Sequence, residues 1–352
     1  MSIPTLEGIT AKTITSDRIS TRVLFAGDES RIPVIFVHGN LSSATYWEQA
    51  MLDLPEGYYG IAPDQRGYGD ADSDKVIDAT RGLADLSDDI LALMDTHNIE
   101  KAHVAGHSMG GAVIWQLMID APDRLLSVTL AAPGSPFGFG GTKDAQGTWS
   151  AEDSAGSGGG IVNPQFVQLM KDGDRGSDEQ VSPRVVMNSF YWKPPFITER
   201  EEDLLSSMLS AHFGEQDYPG DMDPSPNWPF VAPGKWGINN ALSPKYAGDM
   251  EALYTAGPKP SILWLRGSHD LAVSDTSASD PGTLGAMGLI PGWPGAEIYP
   301  SQPMLGQIRA VLDKYAAGGG SYQEIVLEEA GHAPYLEQLE AFNEAFHEHI
   351  ND

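Results

Sequence analysis

The chain has 352 residues, 41% of them hydrophobic, with 49 acidic against 21 basic side chains, a formal net charge of −28 and no cysteine. That apolar share supports a substantial core, yet no run approaches the ~20 apolar residues of a membrane span. The negative field disfavours nucleic acid and anionic membranes as partners, and the missing cysteines exclude disulfides, thiolate catalysis and cysteine metal sites.

In chain order, the opening MSIPTLEGIT carries neither a basic stretch nor an apolar one, so no secretory signal is expected; with the lack of cysteine, this sets the expectation of a cytoplasmic protein without membrane insertion. The acids are spread along the chain and read as a solvated surface. RISTRVLFAG (18–27) reads as a strand, and VIFVHG (34–39) as a short buried one. SATYWEQAMLDL (43–54) is helical behind a Ser/Thr-rich cap, and YYGIAPD (58–64) is the next strand. LADLSDDILALMDTHN (83–98) places Leu83, Leu86, Ile90, Leu93 and Met94 on one helical face. A strand, KAHVAG, a helix from Ser108, and a strand, LLSVTLAAP (125–133), follow. Strands alternating with helices predict an α/β protein with a mainly parallel central sheet and helices on both faces.

The alternation then breaks. GFGGTKDAQGTWSAEDSAGSGGG (138–160) is Gly/Ser-rich and predicts a mobile segment. Helical stretches at 163–170, 183–192 and 198–213 and a Pro/Gly/Asn-rich stretch at 217–240 complete an inserted, mainly helical lid over 135–258. Strand and helix patterns resume with SILWLRG (261–267), QIRAVLDKYAAGG (307–319), YQEIVLEEAGH (322–332) and the helical 335–350. The expected core is therefore 1–134 with 259–352.

AGHSMGGA (105–112) sets the chemistry. Glycines crowd one serine where a strand bends into a helix, which is the G-x-S-x-G elbow that holds a nucleophile out at its apex, here Ser108. A serine hydroxyl needs a base, the base needs an orienting acid, and the oxyanion needs two N–H donors. His332, in the turn after the last strand, is the candidate base. Asp270, just past SILWLRG, is the candidate acid, with Asp275 the rival further along. The amides of Asn40, after the strand VIFVHG, and of Met109, after the nucleophile, are the candidate oxyanion donors. DQRGYG (64–69) reads as a structural turn. Nothing suggests a metal or a cofactor: there is no histidine pair at ligand spacing, no calcium loop and no dinucleotide fingerprint.

VIFVHGN, APDQRGYG, GHSMGG, LRGSHDLAV and EEAGHAPYLE, in that order, make the chain resemble the α/β-hydrolase fold, in its group of serine-nucleophile esterases, lactonases and C–C hydrolases. The resemblance implies a catalytic core with a lid inserted after LLSVTLAAP, acting on a small apolar ester or lactone. It departs from the commoner pattern in the long lid and in a second long insert, 276–303, after Asp270. An aspartate at the elbow would have pointed to haloalkane or epoxide chemistry; the residue is serine. C–C bond hydrolysis of a diketone-type product, or a non-catalytic ligand-binding role on the same fold, are the alternatives. Tyr191 and Trp192 are the candidate substrate-binding residues among the lid's aromatics. Oligomeric state and natural substrate stay open.

Overall fold

The computed structural model describes residues 3–351, so the outermost residues of the two expected core segments lie outside the described residues. Strands β1 (Thr10–Thr15), β2 (Ser20–Ala26), β3 (Ile32–Val37), β4 (Tyr58–Pro63), β5 (Ala102–His107) and β6 (Leu125–Ala131) come first, with helices α1 (Glu48–Leu52), α2 (Ala84–Thr96) and α3 (Met109–Asp120) between them. Next come α4 (Pro164–Lys171), α5 (Pro183–Phe190) and α6 (Glu201–Leu209), then two short ribbons. The ribbons pair β7 (Phe213–Gly214) with β8 (Tyr218–Pro219), and β9 (Met222–Pro224) with β10 (Val231–Pro233). After α7 (Ile238–Ala241) and α8 (Met250–Thr255) the chain returns through β11 (Ser261–Gly267), α9 (Pro281–Ala286), α10 (Met304–Ala317), β12 (Tyr322–Leu327), α11 (Pro334–Glu337) and α12 (Leu339–Asn351).

Eight strands form one sheet in the order β1-β2-β4-β3-β5-β6-β11-β12. The pairs β1–β2 and β2–β4 are antiparallel and the rest are parallel. Every residue of β5 is buried, as a parallel strand covered on both faces must be. Helix α3 packs on β5 beside α2 and α8, while α12 packs on β6 and β11. The approach of α3 is close enough to dictate sequence: a Cβ on Gly110 would lie 2.1 Å from the Val37 carbonyl oxygen. Among the described residues, 132–260 add no strand to this sheet, which β11 rejoins directly beside β6.

One strand lies outside the sequence expectations, and one expectation needs correction. β1 carries no apolar alternation; its residues are almost all exposed, so its strand character comes from pairing with β2. The correction concerns 138–160, read from composition as mobile. Ser154, Ala155 and Ser157 are fully buried, and glycines 138, 140, 141, 147, 156 and 158 take positive φ to fold the backbone tightly. Side chains from 299–307 satisfy that backbone. Gln302 accepts from Gly140 N at 2.7 Å and donates to Gly138 O at 2.9 Å, and Tyr299 Oη donates to Ala155 O at 3.0 Å. Gln307 donates to Thr142 Oγ1 and Asp144 O, and accepts from Ser135 Oγ and Gln302 Nε2. The glycines build a cradle rather than a linker.

Gln302→Ala leaves the Gly138 carbonyl and Gly140 amide, both buried, without this partner. It is expected to cost about 1–3 kcal/mol by denaturant unfolding. Trypsin cleavage after Lys143, slow in the wild type, should accelerate. An unchanged cleavage rate would mean that Gln302 does not hold the segment.

Candidate active site

Ser108 sits between β5 and α3 with φ 53° and ψ −115°, a conformation that costs energy for any side chain but glycine. Hydrogen bonds hold it there. Ser108 N donates to Ala131 O at 3.1 Å, and its carbonyl accepts from Ala112 N at 3.1 Å and Gly134 N at 2.9 Å. The side chain is partly exposed while its neighbours in sequence are buried.

His332 and Asp270 meet at the ends of the last two strands. His332 Nδ1 lies 2.8 Å from Asp270 Oδ2, and both residues are buried. The other oxygen of Asp270 accepts from the Ala272 and Val273 amides, each at 2.8 Å, so the carboxylate is fixed at both ends. With Nδ1 donating to the acid, Nε2 is the nitrogen free to accept a proton. Asp275 is engaged elsewhere: its Oδ1 accepts from Leu305 N (2.8 Å) and Gly306 N (3.2 Å) in the first turn of α10.

His107 directly precedes Ser108 in the sequence. The structure gives it a supporting place: its Nε2 bonds the His332 carbonyl at 2.9 Å, and the two rings lie 4.7 Å apart. Burial, then the neighbouring His332, pushes its pKa well below the ordinary value, so the ring stays neutral.

The candidate oxyanion donors lie beside the serine. Met109 N is the first amide of α3 and has no intrahelical acceptor. The loop carrying Asn40 runs against the elbow so closely that a Cβ on Gly39 would lie 3.2 Å from Ser108 Cβ. His38 shapes that loop. Its Nε2 accepts from Gln65 N at 2.9 Å and its Nδ1 faces Gly39 O at 2.8 Å, and burial holds its pKa down to about 4. Asn40 is itself held on several sides: Tyr68 Oη donates to its Oδ1 at 2.6 Å, and its Nδ2 donates to Asn239 Oδ1 at 3.0 Å.

Tyr191 comes to the site and Trp192 packs next to it. Tyr191 is buried with its ring 6.3 Å from that of His332, and its hydroxyl donates to Asn40 O at 2.8 Å. Trp192 is 1% exposed, packed on Phe196, with its indole N–H on Asn188. Tyr68, Asn239 and Glu337 were assigned no role from the sequence, although Tyr68 had a signal in DQRGYG. Among the described residues no group of three or more His, Asp or Glu could hold a metal, and no helix is long and apolar enough to cross a membrane.

A sequence profile described as alpha/beta hydrolase fold matches residues 32–156, which include Asn40, Ser108 and Met109. The solved structure of 2-hydroxy-6-oxo-6-phenylhexa-2,4-dienoate hydrolase from Rhodococcus sp. strain RHA1 superimposes with a TM-score of 0.59 at 19% identity, covering 98% of this chain and 99% of that one. The chain is an α/β-hydrolase-fold protein. Its sequence is similar to epoxide hydrolase A of Mycobacterium tuberculosis, 32% identical over 129 residues, covering 36% of this chain and 40% of that protein. It is also similar to an uncharacterized carboxylesterase, nap, of Bacillus subtilis, 26% identical over 196 residues, covering 52% of this chain and 62% of that one. The chain spans less than half the length of several curated relatives that it matches. The matched profile ends at residue 156, within the Gly/Ser-rich cradle.

Proposed function

We propose that the protein is a serine hydrolase that cleaves a carboxylic ester or lactone of a small apolar molecule through an acyl-enzyme. The observation that carries this reading is the buried His332–Asp270 pair, 2.8 Å apart, whose imidazole ring lies 4.7 Å from that of His107, the residue before a serine held at a strained strand-to-helix bend. Ser108 Oγ attacks the acyl carbon as His332 Nε2 takes its proton. The carbonyl π electrons move to oxygen, where the Asn40 and Met109 amides stabilise the negative charge. Collapse of the tetrahedral intermediate expels the alkoxide, which takes the proton back from His332. Water then repeats the sequence on the acyl-enzyme and releases the acid. Asp270 keeps the imidazole in the tautomer this requires.

Relatives named as an epoxide hydrolase and a carboxylesterase both match the chain. Ser108 favours the ester reading, because a serine elbow forms an acyl-enzyme whose ester water can hydrolyse. The test is a panel of short- and long-chain p-nitrophenyl esters, bulky lactones, vinylogous diketones and an aryl epoxide, together with a fluorophosphonate probe mapped by mass spectrometry. Ester or lactone turnover with the label on Ser108 is expected. Turnover confined to the diketones would replace the reading with C–C hydrolysis. No turnover and no label would leave a ligand-binding protein.

A further inference from the structure

We propose that Tyr191 and Glu337 are positioning residues: together they brace the turn that carries His332 against the loop that carries Asn40, so the inserted region sets the distance between base and oxyanion donor. The inference rests on the hydrolase reading above for its catalytic consequence.

The segment 191–193, just past α5, touches both sides of the site. Toward the oxyanion loop, Tyr191 Oη donates to Asn40 O at 2.8 Å and to Leu41 O at 3.1 Å. Toward the base, the Tyr191 carbonyl accepts from Ala333 N, the residue after His332. The residue before it is held as well. Glu337 accepts from Gly331 N at 2.6 Å and from Lys193 N at 3.1 and 3.2 Å, joining the His332 turn to the same segment with one carboxylate. Contact along this seam is close enough to require glycine: a Cβ on Gly331 would lie 2.7 Å from Trp192 Cα and from Lys193 N. Both neighbours of His332 are thus tied to a segment whose next contact is the backbone of Asn40.

The brace uses groups that general stability does not demand. Glu337 is half-buried, and burial raises its carboxyl above the ordinary range even though two amides pull it the other way. An acid on a four-residue helix would be better solvated elsewhere. Rigid placement matters at this site because a displacement of ~1 Å between reacting groups can cost about a hundredfold in rate. The core alone fixes Ser108 and Asp270, through β5, α3 and the turn after β11. The His332 turn and the Asn40 loop also meet at His107, whose Nε2 bonds the His332 carbonyl and whose Nδ1 would lie 2.8 Å from a Cβ on Gly39, but the 191–193 segment is what hydrogen-bonds to both the residue after His332 and the backbone of Asn40.

The test uses Tyr191→Phe, Glu337→Gln and the double variant in the full chain. Tyr191→Phe keeps the ring packed and removes only the donor. Each single variant is expected to lower kcat for an ester substrate about tenfold with KM within about twofold. The double variant should lose little more than the worse single, because both cut one connection. Hydrogen exchange should rise in both 40–42 and 331–333 in Tyr191→Phe. A general structural role would instead lower the melting temperature while leaving kcat unchanged well below it. Unchanged kcat in an active wild-type background, losses that multiply, or exchange rising in one loop alone would overturn the brace. Where the wild type turns over no ester, lactone or diketone, the hydrolase reading fails and the exchange result alone decides the brace.

Discussion

Ser108→Ala should lower kcat for ester substrates by about 10⁶-fold, and Asp270→Asn by roughly 10³–10⁴-fold, with both variants folded. The serine is the only covalent partner in the proposed mechanism, so its loss removes the acyl-enzyme route entirely. The aspartate acts through geometry. One of its oxygens is committed to the Ala272 and Val273 amides, so an asparagine there keeps that oxygen in place and turns its NH2 toward His332. The imidazole must then accept at Nδ1, which leaves Nε2 protonated and unable to act as base. Asp275→Ala is the control. It removes the cap from α10, costs about 1 kcal/mol of stability, and should keep the wild-type rate. Steady-state kinetics with thermal melts on all three variants decides the matter; an Asp275→Ala rate as low as that of Asp270→Asn would reassign the acid.

Asp64→Ala should cost about 3–5 kcal/mol, measured by denaturant unfolding, because it strands a buried guanidinium. Arg22 reaches Asp64 with two nitrogens, at 2.9 and 3.1 Å, and the side chains are 9% and 0% exposed. The same carboxylate accepts from Ala44 N and Asp70 N, closing the turn that presents Tyr68 to Asn40. Breaking the pair therefore leaves a charge and two amides without their partner. Replacing both partners, as in Arg22→Met with Asp64→Leu, should recover the share of the loss due to the stranded guanidinium but not the share due to the Ala44 and Asp70 amides, since buried ion pairs contribute little over well-packed apolar side chains. A loss below ~1 kcal/mol in Asp64→Ala would show that water or Ser43 and Thr45 already satisfy Arg22.

The sheet was legible because its parallel strands are short apolar runs ending in glycine or proline, as in VIFVHG and SILWLRG. Ser108, Asp270 and His332 stood out for the same reason: each follows such a run. The structure brings these three strand ends to one region and draws Asp270 to His332. β1 was not legible, since an exposed strand of threonines has no pattern until β2 supplies its partner. The cradle was misread because glycine content alone does not distinguish a chain that moves from one folded tightly through left-handed positions. What settles that question is the set of side chains that come to meet the backbone, and Gln302 and Gln307 lie 162 and 163 residues further on. Glu337 was illegible for a related reason: an acid on an amphipathic helix reads as solvated unless the amides of a distant turn are known to face it.

The clamp between 138–160 and 299–307 bears on how such a protein can be recombined. A chimaera that exchanges 135–258 with another member of the fold, leaving 276–303 in place, would strip Gln302, Gln307 and Tyr299 of the backbone they hold. The transplanted piece would in turn arrive with bare carbonyls. The exchangeable unit is therefore discontinuous, made of two stretches of chain on either side of β11, and only a graft that carries both should express as a folded product.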